Sequence, residues 1–586
     1  MFFFDLLFSC GLLLITTGQY TDNIKYEEYA ADSGILTTES GRPIGDKWNI
    51  ITAGPRGPQL LQDIVFLEEI SHFTRERIPE RVVHAKGNGA YGYFEVTDDI
   101  TRFSKAKVFD GIGKRSRVVT RFSITNGQLG SADTVRDIRG FATRFFTEEG
   151  DWNLVAVHTP VFPIRDPFLF PSFIHSQTGN PVSNFKDPNA VWDFNSLVPE
   201  TTALFTFLFG DRGIPLAYRY MDGFSVNAFK LVNAANESVF AKFIFQTDQG
   251  IRNLTSEEAT RLAGVDPDFQ GRDLFEAIER GDYPSWTLYI QVMTEDEVKN
   301  FRFNPFDATK EWPQDEFPLI RVGKLVLNEN PVNYFAEIEQ LAFCPVRLVP
   351  GIEPSPDKLL QGRLFAYTDA QRYRLGVNFN QIPVNIPSKS PARNYERNGF
   401  ATVNGNQGPG PHYYPNSYGG PQEHPVYLET PFEVCGTATR YNSSDDDNFT
   451  QARIFYEQMN EDQKGRLIQN IVDSLSQAQE FIQQRQLNNF RQANEDFADR
   501  LTAGLTAKKQ GVMKQGVMTQ EASDQEEANF SFDEEFDFGI GEGYDGGVES
   551  VGRTEFLGQT KFGGNEEVGQ QTAFNGQRLL VKNIRV

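Results

Sequence analysis

Between about residues 85 and 330, apolar and polar positions alternate in short runs that end in turn residues, the period-two signature of half-buried strands. The runs include Tyr91-Gly-Tyr-Phe-Glu-Val-Thr97, Arg117-Val-Val-Thr-Arg-Phe-Ser-Ile124, Asn153-Leu-Val-Ala-Val157, Val239-Phe-Ala-Lys-Phe-Ile-Phe245, Ser285-Trp-Thr-Leu-Tyr-Ile-Gln-Val292 and Gly323-Lys-Leu-Val-Leu-Asn328. Together they predict an antiparallel β-barrel over residues 76–329. Two helical stretches interrupt it, Thr255–Ala263 and Arg272–Glu279. The first opens on a cap-like Thr255 with acidic residues behind it, and the second has Asp273 available as its cap.

The pattern changes on either side of this region. Residues 19–75 are polar and punctuated by Gly and Pro, and read as an extended N-terminal arm. Residues 330–445 are rich in Pro, Asn and Gly and too long for a simple loop, so they read as a segment that wraps over neighbouring surface. Helical spacing returns from Phe449 to Leu505, with Leu467, Ile468, Ile471, Val472, Leu475 and Ile482 on one face, and predicts three or four helices in a domain over 446–505. Beyond lies an acidic Phe/Gly-rich tail, 506–586, which opens on the repeat Lys509-Gln-Gly-Val-Met513 and Lys514-Gln-Gly-Val-Met518 and reads as disordered. The fold class is α+β.

Composition narrows the partners. A formal charge of −23 over 586 residues argues against nucleic acid and against anionic lipid. Residues 1–18 form an apolar run ending in small residues, the pattern of a signal peptide, although Asp5 interrupts it and no basic residue precedes it. Sequons at Asn236, Asn253, Asn442, Asn448 and Asn529 agree with a secreted, extracellular protein. No later segment is long and apolar enough to span a bilayer. Cys10 would leave with the signal, so only Cys344 and Cys435 remain, and spacing alone does not say whether they pair.

No pair among the six histidines has zinc-helix spacing, and His72, His175, His412 and His424 read as ordinary surface or core residues. His84 differs because of its setting, Phe73-Thr-Arg-Glu-Arg-Ile-Pro-Glu-Arg81-Val-Val-His84-Ala-Lys-Gly87. Far downstream stands Arg363-Leu-Phe-Ala-Tyr367-Thr-Asp-Ala-Gln371, with Arg363 and Tyr367 one helical turn apart. These two segments resemble the haem-facing signatures of the catalase family. The resemblance extends over residues 38–500, through Asn304-Pro-Phe-Asp307, Asn330-Pro-Val-Asn-Tyr-Phe-Ala-Glu337, Gly351-Ile-Glu-Pro-Ser-Pro-Asp357 and Tyr413-Tyr-Pro-Asn-Ser417.

It implies a catalase-like barrel, haem b as cofactor, hydrogen peroxide as substrate and a homotetramer with entwined arms. It also implies roles: His84 as distal acid/base, Tyr367 as axial iron ligand with Arg363 as its charge partner, and Arg81, Arg121 and Arg374 on the propionates. Val83, Ser123 and Phe170 would shape the distal pocket, with Phe162 nearby. Tyr as the axial ligand of catalase is general knowledge of haem proteins.

The chain departs from the family pattern where a Gly-Asn-Asn-Thr-Pro segment would stand. Ala156-Val157-His158-Thr159-Pro160 puts Val157 at the position of the catalytic Asn, and Val donates no hydrogen bond to peroxide. Loss of one oriented donor commonly costs ~10²–10³ in rate. His158 should face away from the site, since strand neighbours point to opposite faces. Asn88 replaces a small residue, and Thr125 stands where Val commonly narrows the access channel. At positions that would line an NADPH pocket, Ala203, Gly210, Gln246, Glu311 and Gln314 replace His, Ser, Lys, Val and His; Arg212 and Trp312 remain, and NADPH binding is not expected. The sequence thus reads as a secreted haem catalase of reduced activity, with a non-catalytic extracellular haem-binding, transport or structural protein on the same fold as the alternative.

Overall fold

A computed structural model describes residues 34–511, apart from Val434 and Asp445. The expected signal peptide, the first part of the arm and the tail from 512 onward lie outside the described residues.

Ten strands form one antiparallel sheet: β1 Gly87–Val96, β2 Arg115–Ile124, β3 Arg139–Thr147, β4 Gly150–Val157, β5 Gly223–Phe224, β6 Phe229–Val232, β7 Ser238–Thr247, β8 Ser285–Thr294, β9 Ile320–Glu329 and β10 Ile352–Pro354. The path β1–β2–β3–β4–β5–β7–β8–β9 returns to β1 and closes a barrel, while β6 and β10 extend from β7. Closure leaves no free edge along that path.

Alternation along each strand sends one set of side chains inward. Phe122, Phe141, Phe145, Trp152, Phe245 and Trp286 fill the interior with no exposed surface. Their rings meet closely, with centroids 4.8 Å apart for Phe141 and Phe245 and 4.4 Å for Phe145 and Trp152. The opposite set, including Ser123, Gly140 and Val157, faces out of the barrel. There Val157 joins a second apolar cluster shared with Leu467, Ile471, Phe490 and Phe497 of the C-terminal helices.

Those helices are Thr450–Glu457, Glu461–Leu475, Glu480–Ala493 and 495–511. The last runs on past position 505, where the tail was expected to begin nearby. Asn460 starts the second with a reciprocal cap to Gln463. The insertion helices cover Ser256–Val265, capped by Thr255, and Phe269–Glu279. The second begins earlier than its pattern suggested, so Asp273 lies inside it and pairs with Arg219 at 2.8 Å instead of capping. The arm is not wholly extended, because Ile64–Phe73 is helical and starts on an Asp63 cap. None of that helix's residues is buried. The helix Lys358–Leu375 lies within the wrapping segment; Asp357 accepts from the amides of Leu359 and Leu360, and Gly376 ends the helix with φ of 92°. Cys344 and Cys435 are both free thiols. Among the described residues no helix is long and apolar enough to cross a membrane.

Candidate active site

Strand register assembles the distal side. Gly87 faces Ser123, Ser123 faces Gly140, Gly140 faces Val157, and Val157 faces Phe224, giving one row across five strands. Cross-strand partners share a face, so all five positions point out of the barrel on the same side. The His84 ring lies on this row. Its Nδ1 is 3.0 Å from Ser123 Oγ, and a Cβ added to Gly140 would sit 2.8 Å from that Nδ1. Glycine at 140 is therefore the space the imidazole uses, and Val157 is that glycine's partner on the adjacent strand.

His84 has φ of 65°, a left-handed conformation that costs a non-glycine residue energy and needs support from its surroundings. That support is visible. Its amide donates to Thr125 O at 3.1 Å, and its carbonyl accepts from Arg121 Nη1 at 2.8 Å. Burial pushes the imidazole down to about 3, and the cations Arg121, Arg363 and Arg81 add to the shift. The ring is neutral across the physiological range.

Val83, Phe162 and Phe170 pack against the cluster that holds Val157, with the rings of Phe162 and Phe170 stacked at 6.1 Å. His158 points elsewhere. Its Nδ1 accepts from the Arg139 amide at 2.9 Å, which leaves the proton on Nε2, 3.2 Å from Arg212 O. Both ring nitrogens are committed to backbone, so His158 does not replace the missing Asn. Thr125 is likewise turned away, donating to Ile138 O at 2.8 Å. Asn88 lies against Gly271 of an insertion helix, where a Cβ would meet its Oδ1 at 2.2 Å.

Two residues along each strand, and so on the same face, runs a second row, Gly89, Arg121, Ala142 and Val155. Ala142 and Val155 stay half-buried in the middle of the barrel wall, forming an open apolar floor. Arg363 crosses this floor from the helix Lys358–Leu375. Its Nη2 donates to Val155 O at 2.9 Å and to the Tyr367 hydroxyl at 3.2 Å, and its Nη1 donates to Asn227 Oδ1 at 2.5 Å. Asn227 in turn donates to Asp357 Oδ2 at 2.7 Å. Asp357 thus caps the helix and anchors the chain of contacts that holds Arg363 on the phenol.

Arg81, Arg121 and Arg374 converge beside the floor. Arg81 Nη2 donates to the carbonyls of Ile338, Glu339 and Leu341 at 2.9–3.0 Å. Arg374 Nη2 reaches Glu339 Oε1 at 3.1 Å, and Arg81 Nη1 reaches Glu339 Oε2 at 3.4 Å. Burial, then repulsion from Arg121 and Arg374, lowers the Arg81 guanidinium well below its usual range. Two guanidinium groups thus lean on one carboxylate, while Arg121 donates to the carbonyls of His84 and Ala85 and its Nε is buried without a partner.

A family model described as Catalase matches residues 37–420. The chain belongs to the catalase family. A second model, described as catalase-related immune-responsive, matches residues 442–505. Catalase of Rattus norvegicus is 58% identical over 472 residues, 80% of this chain and 90% of the relative. Catalase of Cavia porcellus is 57% identical over 478 residues, 81% and 91% respectively. Among solved structures, a fungal catalase matches with a TM-score of 0.79 at 44% identity, covering 81% of this chain and 97% of its own. Catalase A from Saccharomyces cerevisiae matches at 0.78 and 45%, covering 80% and 99%.

Membership in the catalase family implies a haem cofactor, and this site fits one. The floor at Ala142 and Val155 is apolar, the three arginines lack anionic partners in number, and Tyr367 carries a cation on its hydroxyl. An amphipathic macrocycle with two carboxylates satisfies each of these features. Three contributors escaped the sequence reading: Gly140, Glu339 and Asn227. Of these only Gly140 left a signal, a glycine inside a strand pattern, which marks close approach of another group.

Proposed function

We propose that the chain is a haem protein that decomposes hydrogen peroxide to water and oxygen, with haem b as cofactor and a turnover limited by Val157. The observation that carries this reading is the row on which His84 is held by Ser123 and seated over Gly140, whose partner on the adjacent strand is Val157. Tyr367 would hold the iron, Arg363 would favour its phenolate form, and Arg81, Arg121 and Arg374 would bind the propionates. When bound, haem supplies the two-electron redox chemistry.

The remaining work falls to the protein. With Nδ1 donating to Ser123, His84 keeps a lone pair on Nε2, takes a proton from one peroxide oxygen and returns it to the other. A neutral imidazole is ready for this at every pH well above 3. An Asn at 157 would orient the second oxygen; Val leaves it without a donor, at a cost of ~10²–10³ in rate. The same gap favours the second reading, a haem protein kept for binding rather than turnover. NADPH is not part of either reading. Arg212 is paired with Asp222 at 2.7 Å, and the Glu311 carboxylate accepts from Gln451 Nε2 at 3.1 Å while the Glu311 amide donates to Gln451 Oε1 at 3.1 Å, so a phosphate would meet a carboxylate where a cation is needed.

Secretion is supported by the apolar N-terminal run and by sequons whose Asn is exposed, Asn236 and Asn442. Asn448 is a poorer acceptor, since its amide donates to Ser444 O at 2.9 Å. A homotetramer is supported by large apolar side chains left open on the arm and wrapping segment, such as Trp48 at 96% and Phe400 at 89% exposure. The experiment is an absorption spectrum of the purified protein followed by an oxygen-electrode trace after adding peroxide. Haem with slow oxygen release supports the first reading, haem with none supports the second, and absence of a haem band contradicts both.

A further inference from the structure

Strand β4 carries more than the haem floor. Asp151 and Asn153 continue the face of Val155 and Val157, since alternate residues of a strand point the same way. Asn153 is bonded to the wrapping segment twice, donating from its amide to Arg347 O at 2.9 Å and accepting from the Cys344 amide at 3.0 Å. Asp151 is buried beside it, with 2% of its side chain exposed, and neither carboxylate oxygen has a hydrogen-bond donor. Arg144 of β3 brings its Nε to 4.0 Å from Asp151 Oδ2, too far for a hydrogen bond, and that Nε has no other partner. The surroundings are apolar. Phe146, the strand partner of Asp151, clusters with Val119, Leu341, Phe343 and Val384, and the floor residues Ala142 and Val155 pack against the same cluster.

The two guanidinium groups that face this carboxylate also tie down the wrapping segment. Arg144 donates to Ala342 O, to Val384 O at 2.7 Å and to Asn385 Oδ1 at 3.3 Å. Arg347 is bonded to Asn380, and its Nη1 is buried without a partner. These ties fall on both sides of the helix Lys358–Leu375, which presents Tyr367. Cys344 of the wrapping segment and Tyr91 of β1 also face Arg144, and Arg372 of the helix faces Cys344. An ionised carboxylate in this place is stripped of water and receives no donor in return, whereas a neutral carboxyl loses far less on burial. Burial accordingly pushes the Asp151 carboxyl up to about 6, against the pull of Arg144 and Arg347.

We propose that Asp151 is a proton-operated latch on the wrapping segment: neutral, it lets the segment lie closed on the barrel; ionised, it draws water beneath the segment and loosens it. Between 3.8 and about 6 the folded chain holds a proton that the unfolded chain releases. The cost of Asp151 to stability is therefore full above pH 6 and is relieved as pH falls towards 3.8. The latch tightens in mildly acidic surroundings. On the haem reading above, haem held by Tyr367 then escapes more slowly.

The test is urea unfolding of the full chain, wild type against Asp151→Asn, whose amide keeps the shape without the charge. The unfolding constant of the wild type relative to the variant should rise about ten-fold between pH 5 and pH 7, part of the roughly hundred-fold that the whole shift allows. The comparison cancels His84 and the other titrating groups that the two proteins share. Hydrogen exchange supplies a second reading that needs no reversible unfolding. The bonded amides of Ile382 and Asn385 in the wild type should open about ten-fold more often at pH 7 than at pH 5, after correction for intrinsic exchange, and equally often at both in Asp151→Asn. An unfolding ratio that does not rise with pH, or openings that ignore pH in the wild type, overturns the latch. Haem transfer from the loaded protein to excess apomyoglobin should follow the same ratio. Transfer that ignores Asp151 while unfolding and exchange respond would overturn the link to haem alone, and absence of a haem band would overturn the haem reading while leaving the latch standing.

Discussion

Replacing Gly140 with Ala tests whether the row across β1 to β5 is what seats the catalytic imidazole. The new Cβ would lie 2.5 Å from Ser123 Oγ and 2.8 Å from His84 Nδ1. Ordinary contact begins near 3.5 Å, so one or both groups must retreat by roughly 0.7–1 Å. Neither can retreat far, because the His84 backbone is pinned at Thr125 O and at Arg121. Misplacement on that scale costs about 10² in rate. Stability should change much less. Overpacking costs ~1–3 kcal/mol, while replacing a strand glycine returns ~0.5–1 kcal/mol. The assay pairs initial oxygen release with urea unfolding on the same haem-loaded preparation, in the Val157→Asn background to give range below the starting rate. The expected outcome is a hundred-fold lower rate with a stability loss under about 2 kcal/mol. A rate within two-fold of the parent would refute the seating of His84 over Gly140.

The other expectations concern charge. His84 is depressed to about 3 when folded and titrates near its ordinary 6.5 when unfolded, so the unfolded chain binds the extra proton between these values. Its contribution to stability is complete above pH 6.5 and is lost as pH falls towards 3, by up to ~1.4 kcal/mol per pH unit. The urea midpoint of the wild type relative to His84→Gln should therefore drop between pH 6.5 and 4.5; a constant difference would contradict the neutral, enclosed imidazole. Glu339→Gln should destabilise the haem-free chain by about 3 kcal/mol, because Arg81 and Arg374 lose their shared carboxylate. The loss should shrink when haem propionates are present, and equal losses with and without haem would contradict the propionate assignment. Arg363→Lys keeps the charge but cannot reach Val155, Asn227 and Tyr367 together, so the haem band should shift and haem retention fall about ten-fold. Retention at the wild-type level would show that the contacts to Tyr367 are dispensable.

The barrel was legible because alternation is a local property that the closed sheet leaves intact. Phe141 and Phe145 point in while Gly140 and Ala142 point out, as a two-residue period requires. The helix register near 269 was not legible, since Asp273 looks like a cap locally but is claimed by Arg219, 54 residues away in sequence. The helix in the arm was hidden for a related reason: no face of Ile64–Phe73 is buried in this chain, and the Asp63 cap is its main local signal. His84, Tyr367 and the arginines were readable through motif resemblance, and Val157 through its departure from the motif. Glu339 and Asn227 were not, because each acts through residues more than a hundred positions away or across the wrapping segment. The orientation of His158 followed from strand geometry, and the contacts of its ring supply the reason it stays there.

The most direct test of the whole reading is the initial rate of oxygen release from hydrogen peroxide by haem-loaded wild type and Val157→Asn, compared at equal haem content. A rise of about 10² or more on restoring the amide is expected, since the imidazole, its Ser123 contact and the Gly140 space are already in place. Equal rates in the two proteins would contradict the claim that position 157 limits turnover.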